Sequence, residues 1–336
     1  MGYKLNKQNF DEYLNNLAKS YNFYAPVCKE KAGRYSDTDL VIYEQVKSFD
    51  EMCWDVKSDF SAKDVLLPLN DTLFYFSETE YKKPENKMKP SLIFLRSCDL
   101  HAIKRTDQIY LYNKFEDIYY KEKRDLVKFV VVGCQSEFDN CHCVDFKSNY
   151  SDDYAMGLNI REDGFEIDIK DSEIDKPQRG NEIEFLIDYI KESSTKVNIP
   201  EKVELDKVIN ASIWGEYSTR CIACGACNFV CPTCTCFTMQ DIFYEDNSNV
   251  GERKRVMASC EVDGFCDMAG GHTFRADKAD RMRFKVLHKV SDFKERFGYD
   301  MCVGCGRCDD ICPEHINFAN TVNKLNDFVE GGYKDE

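Results

Sequence analysis

A chain of 336 residues is long enough for one large domain or two ordinary ones, each with its own core. Its 45 basic and 60 acidic residues leave a formal charge of −15, which argues against a nucleic-acid binder. A hydrophobic share of 43% with 13% aromatics excludes intrinsic disorder, and no run approaches the roughly 18–20 apolar residues of a membrane span. The first residues, MGYKLNKQNFDEYL, carry charges throughout and no apolar signal segment, so a cytoplasmic protein is expected.

In chain order, Phe10, Tyr13, Leu14 and Leu17 recur at helical spacing and predict an amphipathic helix over 7–20. The short apolar runs Leu40–Val46, Leu73–Phe76, Leu92–Leu95 and Phe129–Val132 read as strands. Leu92–Leu95 leads through Cys98 into a helix expected from His101 to Tyr110, and Phe129–Val132 leads to Cys134. If both strands are buried and parallel, each delivers a cysteine at the carboxyl end, where open α/β sheets place ligands. Residues 151–207 hold 16 acids against 8 bases and read as an acidic subdomain whose charges are mostly a solvated face. Within it Gly164–Ile169 alternates weakly, and Glu182–Ile190 has a helical pattern. The composition shift near 195–215 suggests an α/β N-terminal domain over 1–205 and a second domain over 206–336, an α+β chain overall.

The 18 cysteines are clumped: six from Cys28 to Cys143, none over 144–220, and twelve from Cys221 to Cys312. In a long chain without a signal segment they point to metal ligation or redox chemistry rather than disulfides. Cys221, Cys224, Cys227 and Cys231-Pro232 spell C-x2-C-x2-C-x3-C-P, and Cys302, Cys305, Cys308 and Cys312-Pro313 spell it again. In this bacterial ferredoxin run three close cysteines hold one [4Fe–4S] cluster and the fourth holds the other. The expected ligand sets are therefore Cys221, Cys224, Cys227 and Cys312 for one cluster, and Cys302, Cys305, Cys308 and Cys231 for the other. Two zinc sites are the competing reading, but zinc knuckles rarely use four cysteines at these gaps followed by proline. The 70 residues between Cys231 and Cys302 favour a helical dicluster domain over a compact ferredoxin. Residues 253–289 carry nine Lys or Arg against five Asp or Glu, which suggests donors near anionic clusters, a docking face for an acidic partner, or a solvated helix face.

The segments RCIACGACNFVCPTCTCF (220–237), RVMASCEVDGFCDMAGGHTFR (255–275), RMRFKVLHK (281–289) and MCVGCGRCDDICPE (301–314) resemble the A subunit of anaerobic sulfite reductase. RSCDLHAIKRTDQI (96–109) and GCQSEFDNCHCV (133–144) extend the likeness to the N-terminal half. The wider family includes iron–sulfur β subunits of cytoplasmic hydrogenases and sulfhydrogenases. The resemblance implies an electron-transfer subunit, itself without bond chemistry, relaying single electrons from a flavin subunit that oxidises NADH to a sirohaem subunit that reduces sulfite to sulfide. The alternative partner is a nickel–iron hydrogenase subunit.

Ten cysteines lie outside the two runs. Cys28, Cys53 and Cys266 read as ordinary thiols. The others either pack as small apolar groups or hold a third iron–sulfur site, drawn from Cys98, Cys134, Cys143 and Cys236, with Cys141, Cys234 and Cys260 as alternates. Cys260, Cys266, Cys308 and Cys312 also approach the spacing of a sirohaem reductase, but Cys308 and Cys312 are already required by the second run, so a sirohaem-bearing catalytic subunit is the weaker reading. His101, His142, His272, His288 and His315 form no recognised metal pair. No G-x-G-x-x-G follows a strand and no P-loop appears, so a nicotinamide or nucleotide would bind elsewhere.

Overall fold

Two of the short apolar runs pair side by side and parallel, as Ser91–Leu95 and Val127–Val132, in a computed structural model that describes residues 2–245 and 249–334. Every residue of Ser91–Leu95 is buried. Leu92, Phe94, Val130 and Val132 enter one core, while Ile93, Leu95, Phe129 and Val131 enter another. Both faces are covered, which is why these strands read as unbroken apolar runs rather than as alternation. Eight strands form the sheet, in the order Asn181–Ile183, Gly2–Leu5, Gly164–Ile169, Met156–Arg161, Val127–Val132, Ser91–Leu95, Asn22–Lys29 and Leu40–Val46. The run from Met156–Arg161 to Asn22–Lys29 is parallel, and the strands outside it are antiparallel.

On one face lies the helix Lys7–Leu17, capped by the Asn6 side chain, which accepts from the Asn9 amide at 2.9 Å. Phe10 stacks on Phe165 with ring centres 4.0 Å apart. This helix stops three residues short of the expected end because the Lys19 and Ser20 amides turn back to the Asn16 and Leu17 carbonyls. On the other face lies the helix Ser97–Tyr110, which begins earlier than expected and carries Cys98 in its first turn.

Glu182–Ile190 is not a helix. Residues 181–183 pair with Gly2–Lys4, and the chain beyond them has no regular structure. Its backbone bonds go to the neighbouring strand and loops: the Asp188 amide donates to Asn159 Oδ1 at 2.9 Å, the Leu186 carbonyl accepts from Asn159 Nδ2 at 2.8 Å, and the Asp188 carbonyl accepts from the Cys134 amide at 3.0 Å. Tertiary partners thus outbid the i→i−4 ladder that the apolar spacing suggested. The acids of this stretch are not all solvated either. Asp168 is buried and accepts from the Tyr154 hydroxyl at 3.1 Å, and Asp188 is paired with Arg161.

The chain divides into two compact units that interleave in sequence. The first comprises Met1–Phe138, Asn149–Lys191 and Thr238–Val256; the second comprises Asp139–Ser148, Glu192–Phe237 and Met257–Glu336. A single cut at 205/206 does not describe this division, and the acidic stretch 151–207 is shared out at residue 191 rather than standing as a subdomain. The long insertion between the cysteine runs sends strands Phe237–Phe243 and Gly251–Met257 to a four-stranded sheet with Asn70–Phe76 and Tyr81–Lys82. There Arg255 is buried over the Tyr110 ring and bonds Asp117 at 2.8 Å and Asp71 at 3.4 Å.

The second unit is mostly helical. Val286, Ala319, Val322 and Leu325 are fully buried at the centre of its core. Trp214 donates from Nε1 to the Val208 carbonyl at 2.7 Å, and the Tyr217 hydroxyl donates to Thr321 Oγ1 at 2.9 Å. The helix Lys278–Leu287 continues through a π turn, His288–Asp292, into Phe293–Phe297, and Gly298 at φ 85° ends it. Among the described residues no helix is long and apolar enough to cross a membrane.

Candidate metal centres

Both cysteine runs lie in the second unit and fold alike. Ala223 (φ 58°) and Gly225 (φ 75°) bend the first, and Gly304 (φ 61°) and Gly306 (φ 73°) bend the second at the same places. These left-handed turns aim amides at sulfur: Ala223 donates to Cys221 Sγ at 3.4 Å and Gly304 to Cys302 Sγ at 3.3 Å. The third cysteine of each run sits in a short helix, Ala226–Phe229 or Arg307–Ile311. After the fourth, the Ile316 amide donates to Cys312 Sγ at 3.3 Å, and the Thr233 hydroxyl lies 3.4 Å from Cys231 Sγ. Hydrogen bonds to sulfur are among the levers that set an iron–sulfur potential.

Segment 139–148 packs on the second run. The His142 amide donates to the Gly304 carbonyl at 2.8 Å, and Ser148 Oγ donates to the Val303 carbonyl at 2.6 Å. A Cβ on Gly304 would lie 2.4 Å from the His142 carbonyl oxygen, and one on Gly306 would lie 2.3 Å from that of Asn140. Glycine is required here by close approach as well as by φ.

Two cavities in this unit are walled by cysteine. Cys221, Cys224, Cys227 and Cys312 line one, with Glu261. Cys231, Cys302, Cys305 and Cys308 line the other, with His142 and Lys289. Lys285, Cys308 and Phe318 line both, and so form the wall that the two share. The structure thus brings Cys312 to the first run's cavity and Cys231 to the second run's. Among the described residues no group of three or more His, Cys, Asp or Glu closes on one point as a single ion requires. Sulfurs spread round a space suit a multi-iron cluster better than a tetrahedral zinc.

The charges around these cavities are buried. Glu261 is 1% exposed, and neither of its carboxylate oxygens has a hydrogen-bond partner. Burial raises its pKa against the pull of Lys285, Arg281 and Arg275. For Lys285, burial alone would favour the neutral amine, but the ionised forms of Cys227, Glu261 and Cys308 outweigh it and favour the ammonium. Lys289 is held charged against burial in the same way, by Cys231, Cys234 and Cys302, and its Nζ donates to Thr233 Oγ1 at 2.6 Å. Burial pushes the Cys227, Cys302 and Cys308 thiols up, so a metal must displace their protons to bind. Reading the sequence missed Glu261 and gave His142 no role; for the basic stretch 253–289 it offered donors near the clusters as one of its readings, without singling out Lys285 and Lys289. The signal was there for the lysines: Arg281, Lys285 and Lys289 recur every four residues, which puts them on one helix face.

The remaining cysteines are dispersed between the units. Cys98 and Cys134 follow neighbouring parallel strands of the first unit, while Cys141, Cys143, Cys234, Cys236 and Cys260 belong to the second. Cys141 Sγ lies 3.7 Å from the Cys305 carbonyl oxygen. A hydrogen bond from Cys260 lowers the Cys236 thiol pKa against the opposing effect of burial, and Asn228 Nδ2 donates to Cys260 Sγ at 3.1 Å. Arg275 donates to Cys266 Sγ from Nε at 3.1 Å and Nη2 at 2.7 Å. Cys260 and Cys266 line neither of these two cavities, whereas Cys308 and Cys312 do.

These features are those of a 4Fe–4S dicluster domain, and residues 220–316 match the family model of that description. Across 340 residues the chain is 28% identical to sulfhydrogenase 2 subunit beta of Pyrococcus furiosus, covering 96% of this chain and 97% of that protein. No solved structure matches the chain. The likeness supports the wider group of iron–sulfur subunits and does not single out sulfite reductase.

Proposed function

We propose that this chain is an iron–sulfur electron-transfer subunit holding two [4Fe–4S] clusters with crossed ligation. Cys221, Cys224, Cys227 and Cys312 would hold one, and Cys302, Cys305, Cys308 and Cys231 the other. The observation that carries the reading is the pair of cavities, each lined by three cysteines of one run and the fourth of the other, with Cys308 on the wall the two share. Clusters of this kind supply one-electron transfer at a potential tuned by burial, charge and hydrogen bonds to sulfur. The chain's own contribution is positional and electrostatic. The turns at 223–225 and 304–306 set the sulfurs and aim amides at them, Phe318 and Ile316 exclude water, and Lys285 and Lys289 offset thiolate charge.

For the partner, near-full-length likeness to a sulfhydrogenase β subunit favours a hydrogenase-type complex with a nickel–iron subunit over the sulfite reductase suggested by the motifs. A flavin subunit exchanging electrons with NADH would complete the relay.

Two measurements test this. Anaerobically purified chain should carry about eight irons. A count of about four would remove the two-cluster reading, and one of about twelve would add the third site. In dithionite-reduced samples, Cys312→Ser and Cys224→Ser should alter one paramagnetic signal, and Cys231→Ser and Cys305→Ser the other. If Cys312→Ser tracks with Cys305→Ser, the ligation is not crossed. The partner is decided by the complex isolated from native cells, where nickel is expected and a sirohaem Soret band would reverse the choice.

A further inference from the structure

Arg281, Lys285 and Lys289 are spaced by four residues and are 4%, 6% and 3% exposed. Three cations buried on one helix face need partners, because an unpaired buried charge is costly. Arg281 has Asp263. Lys285 is turned to sulfur with Glu261 beside it, and Lys289 is turned to sulfur. Lys285 faces Cys227 and Cys308 from the wall common to both cavities, with its Nζ 5.9 Å from the Phe318 ring centre. Lys289 lines only the second cavity, facing Cys231, Cys234 and Cys302. The π turn His288–Asp292 fixes its place, since the Lys289 carbonyl accepts from the Met301 amide at 2.9 Å and the Cys302 amide at 3.3 Å. The helix is thus tied to the start of the second run.

We propose that these two lysines divide the tuning of the clusters between them: Lys285 raises both midpoint potentials together, and Lys289 raises only that of the cluster held by Cys231, Cys302, Cys305 and Cys308. The proposal rests on the two-cluster reading above. Its physics is simple. A thiolate-ligated cluster becomes more negative by one charge when it takes up an electron from its donor, and loses that charge when it passes the electron on. A fixed ammonium beside it stabilises the reduced form, and in a buried, apolar wall that attraction is screened little by salt or water. Because Lys285 is shared, removing it moves both potentials in the same direction. Because Lys289 is not shared, removing it changes the gap, and with it the direction in which an electron rests.

The test is a redox titration of the full iron-loaded chain, followed by paramagnetic resonance with iron counted on each sample. Lys285→Met should move both midpoints to more negative values. Lys289→Met should move only the centre that Cys305→Ser alters. A Lys285→Met protein in which one midpoint or neither moves, or a Lys289→Met protein in which both move equally, overturns the proposal. Should a methionine variant lose iron, its arginine counterpart, which keeps the charge, is titrated in its place. Midpoints close to the native ones then support the proposal, and a negative shift despite the retained charge overturns it. A native chain that titrates as a single centre fails differently, because it removes the two-cluster reading and this proposal with it.

Discussion

Ala223 and Gly304 occupy the same turn of the two runs at nearly the same φ, 58° and 61°, yet substitution there should act in opposite directions. Ala223 carries a Cβ in a left-handed conformation that costs about 1–2 kcal/mol, so Ala223→Gly should gain roughly 0.5–1 kcal/mol once about 0.4–1 kcal/mol for the looser unfolded chain is subtracted. At Gly304 a Cβ would sit 2.4 Å from the His142 carbonyl oxygen, and backbone cannot rotate away as a side chain can. Gly304→Ala should therefore cost about 2–3 kcal/mol and loosen segment 139–148. Anaerobic denaturant unfolding measures both, and hydrogen exchange at the His142 amide reports the second. A loss on Gly304→Ala no larger than the gain on Ala223→Gly would mean that close packing on the second run contributes nothing.

Among elements, the strand Gly251–Met257 shows how a basic stretch can be silent at the surface. Its three bases are consumed locally: Arg253 pairs with Asp241 at 2.6 Å, Lys254 with Glu252 at 3.1 Å, and Arg255 with Asp117 and Asp71. The docking-face reading of 253–289 thus loses these three residues, while Lys285 and Lys289 turn inward. Arg255→Met keeps the apolar stem but strands the two carboxylates. Breaking a buried pair typically costs about 3–5 kcal/mol, and about 2 is expected here. Asp71 and Asp117 are 17% and 27% exposed, and Asp71 keeps Lys123 at 2.8 Å. The loss should appear as a lowered unfolding midpoint with the iron content unchanged, since the substitution lies in the first unit.

For the whole molecule, interleaving of the units governs what can be separated. A fragment over 206–336 lacks segment 139–148, which covers the second run through the His142–Gly304 and Ser148–Val303 bonds. A fragment over 1–205 lacks the two strands that complete the four-stranded sheet. Expressed alone, the 206–336 fragment should bind less than the full chain's iron, and the shortfall should fall on the centre that Cys305→Ser alters. Full iron in that fragment would show that the cover is dispensable.

Local spacing determined much of this protein without help from the fold. Two-residue gaps with glycine or alanine between cysteines, ended by Cys-Pro, name the chemistry, because only a tight left-handed loop places three sulfurs round a small cluster. The strands Ser91–Leu95 and Val127–Val132 were equally legible, since a buried parallel strand must be apolar on both sides. Tertiary structure decided the rest. Residues 182–190 had helical spacing, but the Asn159 side chain and the Cys134 amide took their backbone bonds. Strands Phe237–Phe243 and Gly251–Met257 left the dicluster segment for the other unit, a long-range pairing that no window of sequence contains. Lys285 acquired its meaning the same way: an ordinary helix lysine by sequence, it became the wall of two cavities only when the fold brought Cys227 and Cys308 to it.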